Sequence, residues 1–104
     1  MTGNKYGARR TWSMLVQREF ASKAEARRAE DLYMEERAGV ISNLRFQVPF
    51  VLNKNPKISI TIDFQYEKDG RTFWEDTKGV MTRDFRTKLA WLKQLRDIEV
   101  TIVP

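Results

Sequence analysis

Residues 58–66, "ISITIDFQY", alternate apolar and polar side chains without a break. Ile58, Ile60, Ile62, Phe64 and Tyr66 share one face; Ser59, Thr61, Asp63 and Gln65 share the other. A period of two predicts a half-buried strand. Asp69-Gly70 then favours a tight hairpin turn, and "RTFWEDTK" (71–78) reads as the return strand. Elsewhere the pattern is helical. Ser22 followed by Glu25 fits a capping box, alanines and long charged side chains follow, and Gly39 is a stop, so a helix is expected over 23–38. Thr82 can cap a second helix running to residue 96, with Phe85, Leu89, Leu92 and Leu95 on one stripe. "ISNLRFQVPFVL" (41–52) reads as β, with Pro49 at an edge or a bulge; "NKNPK" (53–57) is a turn and "IEVTIV" (98–103) a closing strand. "TWSMLVQREF" (11–20) is rich in β-formers and reads as a strand or hairpin. The order is roughly β-α-β-β-β-α-β, a mixed α/β layer fold.

A chain of 104 residues allows one small domain with one modest core. Residues 1–10 are polar, basic and glycine-containing and read as a flexible basic arm; 11–104 read as the single domain. No stretch is apolar for long enough to span a membrane, and the N-terminus lacks the apolar run of a signal peptide. A cytoplasmic protein, host or viral, with no membrane partner is the expectation.

Cysteine and histidine are both absent. Disulfide frameworks, thiol nucleophiles, zinc sites of imidazole or thiolate, and every mechanism that uses histidine are thereby excluded. Chemistry must rest on carboxylates, lysine, hydroxyls and an oxygen-liganded cation such as Mg²⁺. Nineteen Lys and Arg against fourteen Asp and Glu leave a net charge of +5, which favours a polyanionic partner.

Charge falls in an unusual place on the hairpin. With a two-residue turn at Asp69-Gly70, Asp63 faces Asp76, Thr61 meets Lys78 and Gln65 meets Trp74. Like charges directly opposite destabilise a sheet, and a divalent cation between them reverses that sign. Lys78 lies two residues beyond Asp76 and shares its face. A loop one residue longer would put Glu75, not Asp76, opposite Asp63. A surface hairpin whose Lys78 pairs with Asp76 accounts for the spacing equally well. A third acid adds weight. Glu25, Ala29, Leu32 and Tyr33 form the inward stripe of the first helix, and an acid placed inward needs a partner. The capping box can be that partner and still leave one carboxylate oxygen free.

Glu25 on a first helix, Asp63 in one strand and Asp76-Thr77-Lys78 on the next resemble the PD-(D/E)XK nuclease superfamily. More closely, "KYGARRT", "FASKAEARRAEDL", "LRFQVPF", "DFQYEKDGRTFWEDTKG" and "TRDFRTKLAWL" resemble small phage-encoded Holliday-junction-resolvase-like endonucleases. Ala29 stands where those proteins often carry an aromatic, and Pro49 is one place later than their usual proline. The resemblance implies a restriction-endonuclease-like mixed sheet flanked by two helices. It implies Mg²⁺-dependent hydrolysis of DNA phosphodiesters, with Mn²⁺ as substitute, on branched DNA. Asp63 and Asp76 would ligate the metal with the Thr77 carbonyl; Glu25 would bind metal or its water; Lys78 would orient or deprotonate the attacking water. Lys88 matches a basic position of that family.

Arg27, Arg28, Arg86 and Lys88 are the expected nucleic-acid contacts on the helices, and Lys5, Arg9 and Arg10 those in the arm. Trp12, Trp74 and Trp91 are expected in the core or at a dimer contact, with Trp74 alone sharing the Asp76 face. Cutting two strands symmetrically points to a homodimer. The rival readings are a non-catalytic nucleic-acid-binding module and a site-specific restriction or nicking enzyme.

Overall fold

In the computed structural model, which describes residues 9–104, the chain runs β1 (Thr11–Ser13), β2 (Arg18–Phe20), α1 (Lys23–Arg37), β3 (Ser42–Lys54), β4 (Lys57–Lys68), β5 (Arg71–Thr77), α2 (Arg83–Arg96) and β6 (Val100–Val103). Residues 1–8, including Lys5 and most of the expected arm, lie outside the described residues. Strands β3-β4-β5-β6 form one sheet in that order, antiparallel except for the parallel β5–β6 pair that α2 connects. Strands β1 and β2 form a separate antiparallel hairpin. The architecture is mixed α/β, and its order matches the one read from the pattern once 11–20 is resolved as a hairpin.

The β4–β5 register is the two-residue-turn register: Phe64 opposes Glu75, Gln65 opposes Trp74 and Lys68 opposes Arg71. Asp69 and Gly70 take φ of 52° and 78°, the left-handed pair that such a turn requires. Pro49 lies on β3, an edge strand, where a missing N–H is tolerated. The closing strand is shorter than expected and starts at Val100, because Asp97 ends α2 in the left-handed region and residues 97–99 make the turn.

Strand β4 serves two cores. Phe64 and Tyr66 pack with Phe20, Ala26, Ala29, Leu32 and Ile41, which is the α1 side. Ile60 and Ile62 pack with Leu52, Leu92 and Ile98, joined by Phe85, Leu89, Trp74 and Trp91, which is the α2 side. Asp63 therefore lies between residues of different cores. Leu95 is not part of the α2 stripe: it is exposed, since Leu92 and Ile98 already fill that end. Trp74 and Trp91 are half-buried and pack against the α2-side core. Trp12 does not; it is 55% exposed on the two-stranded hairpin, which has no second layer to cover both of its faces.

Candidate active site

Glu25 opens α1 at its third position. Its N–H donates to Ser22 Oγ at 3.1 Å, the forward half of a capping box. The returning half goes one residue further: Glu25 Oε1 accepts from the Ala21 N–H at 3.3 Å, not from Ser22. Oε2 is left pointing inward, where it accepts from Gln47 Nε2 at 2.8 Å.

The same Gln47 amide donates to Asp63 Oδ1 at 3.2 Å, so one side chain joins a helical acid to a strand acid. It does so from an unusual backbone. Gln47 sits inside β3 with φ 54°, a region that costs a non-glycine residue about 1–2 kcal/mol. Sequence reasoning passed over Gln47. A polar residue within "LRFQVPF" looks like a solvent-facing strand position, and no pattern marks a positive φ there.

Asp63 and Asp76 lie together at the end of the β4–β5 ladder. Asp63 Oδ2 accepts from the Thr77 N–H and from Thr77 Oγ, each at 2.9 Å. The Asp63 N–H donates to Asp76 Oδ1 at 2.8 Å. Asp76 is fully buried, and its Oδ2 has no hydrogen-bond partner. Lys78 Nζ stands 3.5 Å from that oxygen, and also 4.3 Å from the centre of the Phe85 ring.

The electrostatics follow from this crowding. Burial, with the Asp63 charge next, pushes the Glu25 carboxyl up to about 7 from an ordinary 4.5. Burial and the Asp63 charge also push Asp76 up to about 6 from 3.8, against the pull of the Asp63 N–H and Lys78. Three acids thus share a site holding one ammonium. Asp63, Asp76 and Glu25 carry the hard oxygen donors that Mg²⁺ takes, and Asp76 Oδ2 is the one that makes no hydrogen bond. Among the described residues, no group of three or more acids is already arranged as a metal cage. Gln47 and Thr77 hold the oxygens that such a cage would need.

Glu25, Asp63, Thr77 and Lys78 line a cleft of about 440 Å³ together with Ser22 and Phe85. Asp76, with no exposed surface, lies behind that lining, and Glu75, its alternative, is not in it either. The Glu75 carboxylate takes a two-pronged pair from Arg28, Nε to Oε1 at 2.7 Å and a terminal nitrogen to Oε2 at 2.8 Å, and accepts a short bond from the Tyr66 hydroxyl. Burial alone would raise the Glu75 carboxyl; Arg28 and Tyr66 outweigh it and hold it below 4.5. Arg28, expected on DNA, is instead committed to Glu75, with Glu35 at 4.0 Å. Arg27 and Arg86 are exposed, and the half-buried Lys88 forms an i,i+4 pair with the exposed Asp84 at 3.4 Å. Arg10, expected in a free arm, pairs with Glu19 at 2.9 Å.

A profile of the family described as "Protein of unknown function (DUF1064)" matches residues 3–103. No curated protein and no solved structure matches the chain.

Proposed function

The chain belongs to this family of unknown function, and we propose that it is a divalent-metal-dependent DNA endonuclease with a PD-(D/E)XK-type site acting on branched DNA. The observation that carries the reading is the buried Oδ2 of Asp76, which has no hydrogen bond and only Lys78 Nζ at 3.5 Å, set just behind a cleft lined by Asp63, Glu25 and Lys78. Leaving a buried carboxylate oxygen unsatisfied is costly, and a cation offsets that cost.

Asp63 and Asp76 would hold Mg²⁺ or Mn²⁺, with Glu25 reaching the metal or a water on it. A bound cation neutralises phosphate charge and makes a coordinated water more acidic. The remaining work falls to the chain. Lys78 donates hydrogen bonds from the same cleft, to the attacking water and to a phosphate oxygen, offsetting charge as the phosphorus–oxygen bond to the leaving sugar breaks. Glu25, at the first turn of α1 and lining the same cleft, is placed to exchange a proton with that water. Gln47 and Thr77 fix the carboxylates of Glu25 and Asp63 in place. Symmetric cutting of a junction requires two such centres, hence a homodimer.

The hydrogen bonds that satisfy Glu25 and Asp63 without a cation favour one rival, a nucleic-acid-binding module whose acids are structural. Incubating labelled branched, nicked and linear DNA with Mg²⁺ separates the two. Cleavage by the native protein and none by Asp76→Asn supports the enzyme; binding without cleavage by either supports the module.

A further inference from the structure

A second cleft, larger than the first at about 730 Å³, lies on the other side of the α1 N-terminus. Ser22 lines both clefts, so they meet at the helix cap. Arg9, Arg10, Lys23 and Trp12 line the second one, and no acid is among its lining residues within the described chain. The hairpin that carries Trp12 is pinned. Ser13, 1% exposed, donates from Oγ to Glu30 Oε2 at 2.6 Å and accepts from the Val16 N–H at 3.0 Å. Successive strand side chains point to opposite faces, so with Ser13 turned to α1 the indole of Trp12 is turned away from the core. Its exposure is therefore built in. The Arg10–Glu19 pair is 65% and 50% exposed, and such pairs are worth about 0–1 kcal/mol, so an incoming anion can displace Glu19.

We propose that this cleft seats an unpaired DNA strand continuing from the carboxylate cleft, with one base stacked on Trp12 and its phosphates against Arg9, Arg10 and Lys23. Cations track the backbone and an exposed aromatic accepts any base face, the combination by which proteins hold single strands. A base inside a duplex is already stacked on its neighbours, so only an unpaired one reaches the indole. The inference rests on the nuclease reading for the identity of the polyanion, and gives that reading a reason to prefer branched over blunt DNA.

The test measures binding by fluorescence anisotropy in Ca²⁺, so that cleavage plays no part. The probes are a forked duplex with single-stranded tails and a blunt duplex of the same sequence, with polyglutamate as competitor. Trp12→Ala is expected to weaken forked-DNA binding roughly 5- to 150-fold, the equivalent of ~1–3 kcal/mol for one stacked base, and to leave blunt binding nearly unchanged. Trp12→Phe keeps an aromatic face and is expected to retain most of the affinity. Arg9→Glu with Lys23→Glu weakens forked binding and lowers its salt dependence. Equal affinity of Trp12→Ala and native protein for the fork overturns the proposal, as does an equal loss on both probes. Displacement of the fork by polyglutamate as readily as by single-stranded DNA also overturns it, since the cleft would then take any polyanion. A Trp12-dependent preference for the fork in a protein that cuts no DNA with Mg²⁺ supports the cleft and removes the nuclease.

Discussion

The backbone of Asp63 is bonded to the side chain of Asp76. The Asp63 N–H donates to Asp76 Oδ1 at 2.8 Å, and the other oxygen of that buried carboxylate makes no hydrogen bond and has Lys78 Nζ at 3.5 Å. The two acids are thus held together by one hydrogen bond while their charges repel.

The first consequence is a pH-dependent stability. In the folded protein Glu25 and Asp76 lie above their ordinary values of 4.5 and 3.8, near 7 and 6. The folded state then keeps protons that the unfolded chain has released, so stability falls as pH rises from about 4 to about 7. The metal-free Tm should decline across that window. Mg²⁺ should reverse the decline at its upper end, by about 2.7 kcal/mol at roughly 100 times its Kd. Asp76→Asn should flatten the pH slope and lose most of the cation effect. Thermal scans at several pH values, with and without Mg²⁺, decide it; a native Tm indifferent to both variables would remove the metal site.

Lys78 shares the cleft with the acids, and an ammonium has no lone pair for a cation. Lys78→Ala should reduce cleavage by at least about 100-fold while leaving Mg²⁺-induced stabilisation largely intact. Asp63→Ala should lose both. Lys68, at the hairpin turn, is exposed, and Lys68→Ala should match the native protein. Native-rate cleavage by Lys78→Ala would remove Lys78 from the chemistry and leave it the ion-pair partner of Asp76 alone.

Gln47 allows the side chain to be separated from the backbone. Gln47→Gly and Gln47→Ala both remove the amide between Glu25 and Asp63, and each should lose about 10–100-fold in metal affinity or cleavage. Only glycine takes φ 54° freely, so the alanine variant should be the less stable by about 1 kcal/mol. Urea titration of the pair reads the backbone term, and cleavage reads the amide. Wild-type cleavage by either variant would make Gln47 a bystander.

Arg28 and Arg86 should behave as opposites. Arg28→Ala leaves Glu75 buried without its cation and should cost about 3 kcal/mol, with no change in the salt slope of DNA binding by the folded fraction. Glu75 is held below 4.5, so the pair's contribution is present above that pH and is lost as pH falls below it. Arg86→Ala with Lys88→Ala should leave stability nearly unchanged and reduce the salt slope by about 1–2. Equal salt slopes for the native protein and the double variant would move the DNA to another face.

The hairpin was legible because two independent local signals agreed: strict alternation over 58–66, and a turn pair able to take positive φ. Together they set which carboxylates lie side by side. The start of α1 was legible for the same reason, its cap and first turn being written within four residues. What escaped depends on distance along the chain or on layering. Arg28 reads as a basic helix residue until Glu75, 47 positions away, is brought beneath it. Gln47 acquires its role only where β3, β4 and α1 converge. Trp12 has the composition of a core residue, but its hairpin is a sheet of two strands with one face uncovered.

Strand β4 runs through both cores, with Ile62 in one and Phe64 in the other, and Asp63 between them. Transient opening of either half therefore releases the Asp63 amide, whose rate of hydrogen exchange would follow whichever half opens more readily. A weakened Leu32 contact on one side and a weakened Leu92 contact on the other would reach the same pair of acids by separate routes, although neither leucine approaches them in the bonds that hold the site. The site thus depends on the packing of both cores at once.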